Sequence, residues 1–105
     1  MDTNTKYMKK YARRKRNRLY VYNFLKLNPC SHVDHLGKRC TQTSPIVLQF
    51  HHRDRTQKRA DISRLVHDDY SLKTIKTEID KCDVLCANHH QMVTAEETHW
   101  DILSY

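Results

Sequence analysis

The sequence contains no apolar run approaching the roughly 18–20 residues that a helix needs to cross a bilayer, so no membrane-spanning protein is expected. Its N-terminus is basic, but no apolar segment follows it as in a secretory signal, and a secreted product is not expected. No internal repeat and no dividing linker is present, so the 105 residues are read as one domain with a small core. Apolar residues reach only 38%, against 30% charged, and there is a single glycine. A domain so lean in hydrophobic area often takes stability from a staple such as a structural metal. Acids are also in short supply, 12 against 19 Lys and Arg, which leaves a net charge of +7. That balance suits a polyanionic partner, and without a membrane segment DNA or RNA is favoured over a lipid surface.

What the chain does have is metal-ligand chemistry, with four Cys and eight His. Lacking an export signal, it is expected in a reducing compartment, cytoplasmic or nuclear, where thiols serve as metal ligands more readily than as disulfides.

Tyr7, Met8 and Tyr11, and then Leu19, Tyr22, Leu25 and with them Phe24, recur at helical spacing and predict a long amphipathic helix up to Asn28-Pro29. Residues 1–28 are therefore read as a basic helical extension, and 29–105 as the main domain. Lys9, Lys10, Arg13, Arg14 and Arg16 in that helix are candidates for sequence-blind contact with phosphates. A loop from Cys30 to Cys40 carries the only glycine. Ile46–Phe50, rich in β-formers, predicts a strand that ends in His51 and His52. The basic segment that follows adds Arg53, Arg55, Lys58 and Arg59 to the phosphate-contact set. Asp61–Val66 predicts a short helix, broken by His67–Tyr70. Ser71 is a natural N-cap for a helix with Leu72, Ile75, Ile79 and Cys82 on one face, where Cys82 reads as a small core residue. A last helix is expected from about Asn88, with Met92, Val93 and Trp100 available for packing.

Cys86-x-x-His89 has the tight spacing of a zinc knuckle, in which two ligands from one short turn meet a tetrahedral ion. Cys30 and Cys40 are the obvious second pair, although nine residues separate them. Loop closure costs little extra for such a length. His32 or His35 could replace one of these thiols, and Cys82 could compete. Thiolate and imidazole together suit zinc.

Leu48-Gln49-Phe50-His51-His52-Arg53-Asp54, a spacer, and then Glu78-Ile79-Asp80-Lys81-Cys82-Asp83-Val84-Leu85-Cys86-Ala87-Asn88-His89-His90 stand in an order that resembles the HNH endonucleases. The likeness is to the small zinc-knuckle type of phages, viruses and bacteria, over about residues 30–94. It implies an α+β fold of the ββα-metal kind, in which a hairpin and a helix surround one catalytic divalent ion. By position it implies His52 as general base and His51 and His90 as ligands of that ion. Cys30, Cys40, Cys86 and His89 fall on the structural zinc, with Cys30 matching only if Ser31–Arg39 is an insertion. The family's middle asparagine falls at Lys81, which leaves the orientation of His52 open, and Asp54 is a second candidate for orienting an imidazole.

The chemistry is coherent with the residue types. A neutral imidazole, with a reference pKa of ~6.5, can take a proton from water at neutral pH. A divalent ion on His51 and His90 would stabilise charge on the phosphoryl oxygens. Two imidazoles without a carboxylate predict tolerance of Mn²⁺ or Ni²⁺ besides Mg²⁺, and of Zn²⁺. Strand alternation would point His51 and His52 to opposite faces, so a bend just after Phe50 is expected if both serve one site. The expected activity is therefore cleavage of DNA, by a monomer or a homodimer. A zinc-stabilised DNA-binding module without catalysis is the alternative, and a structural protein that zinc merely folds is the third.

Overall fold

A computed structural model describes residues 3–98, with side chains from Tyr7 onward; Trp100, expected to pack, lies outside the described residues. The described chain is an α+β fold of four α-helices and a two-stranded antiparallel sheet. In order these are α1 (Thr3–Leu27), β1 (Leu48–His52), a 3-10 turn (Arg55–Gln57), α2 (Ile62–His67), α3 (Leu72–Ile79), β2 (Cys82–Cys86) and α4 (Ala87–Glu97).

α1 is helical as its spacing predicts, and Leu25 and Phe24 are packed as expected, but the rest of the expected face is not buried. Leu19 and Tyr22 remain 51% and 49% exposed, and Tyr7, Met8 and Tyr11 are exposed as well. The packed face carries Asn17, Tyr20, Val21, Phe24 and Leu25. Apolar residues lie on both faces of this half of the helix, so spacing alone does not select between them. The partner surface does. Phe24 sets its ring 5.8 Å from that of Phe50 in β1. Asn17 is fully buried, and its Nδ2 donates to the Tyr70 carbonyl at 3.0 Å. Nearby, Arg13 pairs with Asp69 at 2.8 Å.

β1 begins two residues later than its sequence predicts, because Pro45–Val47 forms a turn closed by Val47 N–H to the Ser44 carbonyl. Ile46 is left 89% exposed. The strand also runs on through His52, paired in regular register from Leu48 with Cys86 to His52 with Cys82. α2 stops where expected, at a left-handed Asp69 with φ 64°, and Tyr70 N–H bonds back to the Leu65 carbonyl. This is the helix-ending arrangement that caps orphan carbonyls. α3 starts as predicted, with the Ser71 hydroxyl accepting from Thr74 N–H. It ends at Ile79, however, so Cys82 lies on β2 and not on the helical face. There it is half-buried against the α2–α3 core.

A two-stranded sheet alone is marginal in water and must be covered. The side toward α1 buries Phe50 against Val21 and Phe24, which also join the cluster of Ile62, Leu65, Val66, Ile75 and Ile79. A second cluster joins Leu25, Cys30, Leu48, Val84, Leu85 and Cys86, with Val93 of α4 against it. The second half of α1 thus belongs to both cores.

Replacing Asn17 by Ala leaves the Tyr70 carbonyl without its buried donor. The expected loss is about 1–3 kcal/mol in urea unfolding, while Leu19→Ala, on the exposed face, should change stability by less than about 0.5 kcal/mol. The reverse order of the two losses would contradict the assigned helix face.

Candidate metal centre and histidine site

The loop before β1 has no regular element, but it is folded tightly. The Asp34 carboxylate accepts the N–H groups of Leu36 and Lys38, both at 2.9 Å, and Gly37 takes the left-handed φ of 81°. Val33 and Arg39 then face each other as an antiparallel bridge. This turn folds the nine intervening residues back and brings Cys40 to Cys30. Ser31 ties the loop to β2 through the Val84 carbonyl, which accepts from both its N–H and its hydroxyl.

The ligand atoms of Cys30, Cys40, Cys86 and His89 all lie within 4.8 Å of one another, the one such group among the described residues. His89 Nδ1 stands 3.1 Å from Cys86 Sγ and 3.6 Å from Cys30 Sγ. A tetrahedron with Zn–S bonds of ~2.3 Å and a Zn–N bond of ~2.0 Å has edges of about 3.5–3.8 Å, so a group that falls within 4.8 Å is of a size to close on zinc. Three thiols and one imidazole can therefore hold a metal such as zinc. Burial raises the Cys86 thiol, but hydrogen bonds from the His89 backbone and from Cys30 and Cys40 bring it below its usual value.

The other candidates stand outside this cluster. The His32 ring stacks on the His89 ring at 4.0 Å and so supports a ligand without being one. His35 is exposed. Cys82 Sγ faces the Glu78 carbonyl, outside the ligand group, and burial followed by the charge of Glu78 pushes its thiol up to about 11.

His89 and His90 open α4, so the cluster also fixes the first turn of that helix. His90 lies beside β1, with its ring 5.1 Å from that of His51 and its Nδ1 2.7 Å from the Gln49 side-chain oxygen. Burial, followed by the charge of His51, holds His90 below the ordinary imidazole range, which favours its neutral, ligand-competent form. His51 Nε2 meets Glu97 Oε1 at 2.8 Å. The expectation of a carboxylate-free site is corrected at this point, because α4 returns Glu97 to the strand one turn beyond Val93. His51 and His90 do not form a closed ligand group with a third residue, and Nε2 of His51 can take an ion only if Glu97 swings aside or joins it.

The expected bend after Phe50 is absent. The ladder stays regular through His52, so His51 faces α4 while His52 faces the α2–α3 side. There His52 Nε2 stands 2.7 Å from Oε2 of Glu78, a residue only 1% exposed. Glu78 Oε2 also accepts the Arg59 backbone N–H at 2.9 Å, and Oε1 meets Lys81 Nζ at 2.8 Å. Burial would raise this carboxyl, but Lys81, the Arg59 amide and His52 together bring it down to about 2. Asp54 does not orient an imidazole. Its carboxylate caps the 3-10 turn through the Thr56 N–H and hydroxyl. His52 and His90 meet again as walls of one cleft of about 780 Å³ between α1, β1 and α2, also lined by Arg18, Tyr22 and Asp61.

Several candidate phosphate-contacting bases are engaged within the fold. Besides Arg13 with Asp69, Arg53 bonds Asp83 and the carbonyls of Asp80 and Cys82. Lys58 pairs with Asp61 at 2.6 Å, Arg55 stands 3.8 Å from Glu97, and Arg59 lies over the Tyr70 ring. Arg16 bonds Asn17, and Arg14 has a buried Nε without a partner among the described residues. Lys9 and Lys10 are exposed.

Glu78 and Glu97 are the site residues that sequence reasoning missed. For Glu78 a signal existed, since it falls three residues after Ile75, inside the apolar arc of α3, and three before Lys81.

No protein-family model matches the chain, and comparison with curated proteins and with solved structures gives no match.

Two outcomes test this geometry. Cys86→Ser should abolish stoichiometric zinc and most of the folded population, because binding energy at such sites is folding energy. Cys82→Ser should keep one zinc per chain by elemental analysis; loss of metal there would put Cys82 in the cluster. The second outcome concerns pH. Glu78, lowered from 4.5 to about 2, adds stability that is complete above the higher value and vanishes as pH falls toward the lower. The difference in unfolding free energy between wild type and Glu78→Gln should therefore shrink across that window. Acid also releases zinc, so the two proteins are compared below pH 4.5 only where both remain folded, and a constant gap there would contradict the paired carboxylate.

Proposed function

We propose that this chain is a small metal-dependent DNA endonuclease of HNH-like design. The observation that carries this reading is that His90, in the first turn of α4 beside the Cys30–Cys40–Cys86–His89 cluster, lies next to His51 and also shares a cleft with His52. The strand–strand–helix order β1, β2, α4 supports it, as does the resemblance in motif order.

In this reading His52 takes the proton from the attacking water. Its Nε2 is occupied by Glu78, so the free ring nitrogen is Nδ1, on a residue that lines the cleft shared with His90. His51 and His90 hold a divalent ion, Mg²⁺ or Mn²⁺ with Ni²⁺ tolerated, which when bound stabilises charge on the non-bridging and leaving oxygens. Glu97, beside His51, brings a hard oxygen to that site and moves the expected preference toward Mg²⁺ and Mn²⁺. Lys9, Lys10 and the basic segment Arg53–Arg59 hold the DNA backbone. Such contacts position a duplex without reading it, so sequence preference should be low. One such centre cuts one strand, leaving a 5′-phosphate and a 3′-hydroxyl, and a double-strand break needs two subunits or two visits.

One observation favours the second reading, a zinc-stabilised DNA-binding module without catalysis. His51 Nε2 and His90 Nδ1 are both already hydrogen-bonded, to Glu97 and to Gln49.

Conversion of supercoiled plasmid separates the two. Wild type with Mg²⁺ or Mn²⁺ should nick DNA, and His52→Ala should be slower by about 10²–10⁴-fold, the usual contribution of a general base. Intact plasmid under every metal tried, together with a salt-sensitive gel shift, would replace the nuclease by the binding module.

A further inference from the structure

We propose that Glu78 and Lys81 form a positioning pair that fixes the tautomer of His52, so that Nδ1 carries the lone pair and faces the cleft. This rests on the nuclease reading for its catalytic meaning, though not for the ring geometry itself.

The charge of Glu78 decides which group donates. An ionised carboxylate only accepts hydrogen bonds. Glu78 is 1% exposed and receives three donors, the Lys81 ammonium, the Arg59 backbone N–H and the His52 ring. An ion pair and an amide offset the cost of burying this charge. The nitrogen that meets Glu78 Oε2 at 2.7 Å must therefore carry the proton, and it is Nε2. A neutral imidazole has one N–H and one lone pair, so the lone pair falls on Nδ1. Among the described residues Nδ1 has no hydrogen-bond partner and is not among the two buried polar atoms left unpaired, and His52 lines the cleft.

Lys81 does more than neutralise. Its Nζ bridges Glu78 Oε1 at 2.8 Å and the Gln57 carbonyl at 3.0 Å, which ties the end of α3 to the basic loop after β1. Arg59, at the far end of that loop, touches the same carboxylate through its amide. In the HNH pattern an asparagine stands at position 81 and steadies the loop of the base. Here a lysine stands there and reaches both the loop and the residue that holds the imidazole. The substitution is thus matched by a buried glutamate one helical turn earlier.

This predicts a particular pattern of loss. Replacing an orienting carboxylate by its amide leaves shape intact but permits the wrong tautomer, a change that costs about 10⁴-fold in the serine protease triad. The test uses the zinc-loaded full chain and three proteins beside wild type, namely Glu78→Gln, Lys81→Met and Lys81→Arg. Long-range proton–nitrogen NMR at about pH 8, where an ordinary imidazole is neutral, reads the His52 tautomer. Single-turnover nicking at saturating DNA reads the rate, and a gel shift reads affinity.

Wild type should show the proton on Nε2. Glu78→Gln should lose that single tautomer and at least about 10²-fold in rate, with zinc content kept and DNA affinity within about threefold. Lys81→Met should lose rate in the same sense, and Lys81→Arg should restore most of it, because the charge and the two acceptors are again served. A wild-type proton on Nδ1 overturns the proposal, as does nicking by Glu78→Gln at the wild-type rate. A wild type that cuts no DNA overturns the nuclease reading, and the NMR arm then decides the ring geometry alone. Should Glu78→Gln fail to retain zinc, the wild-type tautomer and the Lys81 pair decide. Equal rates for Lys81→Met and wild type would overturn the role of the lysine.

Discussion

The meeting of three thiols and one imidazole is the constraint on which the rest of the structure depends. Cys30 and Cys40 come from a loop without regular structure, Cys86 from the end of β2 and His89 from the first turn of α4. Each of these segments buries little by itself. A two-stranded sheet is marginal alone, and the chain from Asn28 to Val47 forms no helix or strand longer than a bridge. Drawing four ligands to one point fixes the loop against β2 and sets the direction in which α4 leaves the sheet. His90 is the next residue after His89, so holding one places the other beside His51. The device that stabilises the fold and the device that builds the histidine site are the same.

A second organising theme is how charge is used. A protein with 19 basic residues against 12 acidic ones would be expected to display its bases to solvent. Several are instead paired within the chain, although Arg13 and Arg53 stay about half exposed. Arg13 and Asp69 close α1 onto the α2–α3 turn, Arg53 straps the strand ends, and Lys81 with the Arg59 amide keeps a buried glutamate ionised. Glu78 and Glu97 stand on opposite sides of the sheet, one for each of two adjacent histidines. Strand alternation divides the imidazoles, and the two carboxylates give each a different environment.

What the sequence reveals and what it hides follow from whether an interaction is local. Cys86-x-x-His89 and the Ser71 cap lie within one turn of chain, and both are found where spacing puts them. The association of Cys30 with Cys40 was readable as a pairing, but its means was not, because closure depends on Asp34 gathering two amides and on Gly37 turning left-handed. The buried face of α1 is legible at Phe24 and Leu25 but not at Leu19 and Tyr22, since apolar residues occur on both sides and the position of Phe50 chooses between them. β2 was hidden by Cys82, which continues the helical phase of Ile75 and Ile79 and yet pairs with His52 in the sheet. Glu97 could not be read at all, for its role arises only when α4 brings it back to β1.

The measurement that bears most directly on this account is the X-ray absorption spectrum of zinc bound to the full chain. The geometry predicts one zinc per chain with three sulfur neighbours at ~2.3 Å and one nitrogen at ~2.0–2.1 Å. Four sulfurs would bring Cys82 into the cluster, and two sulfurs with two nitrogens would make His32 or His35 a ligand. Either result would contradict the arrangement that sets His90 beside His51.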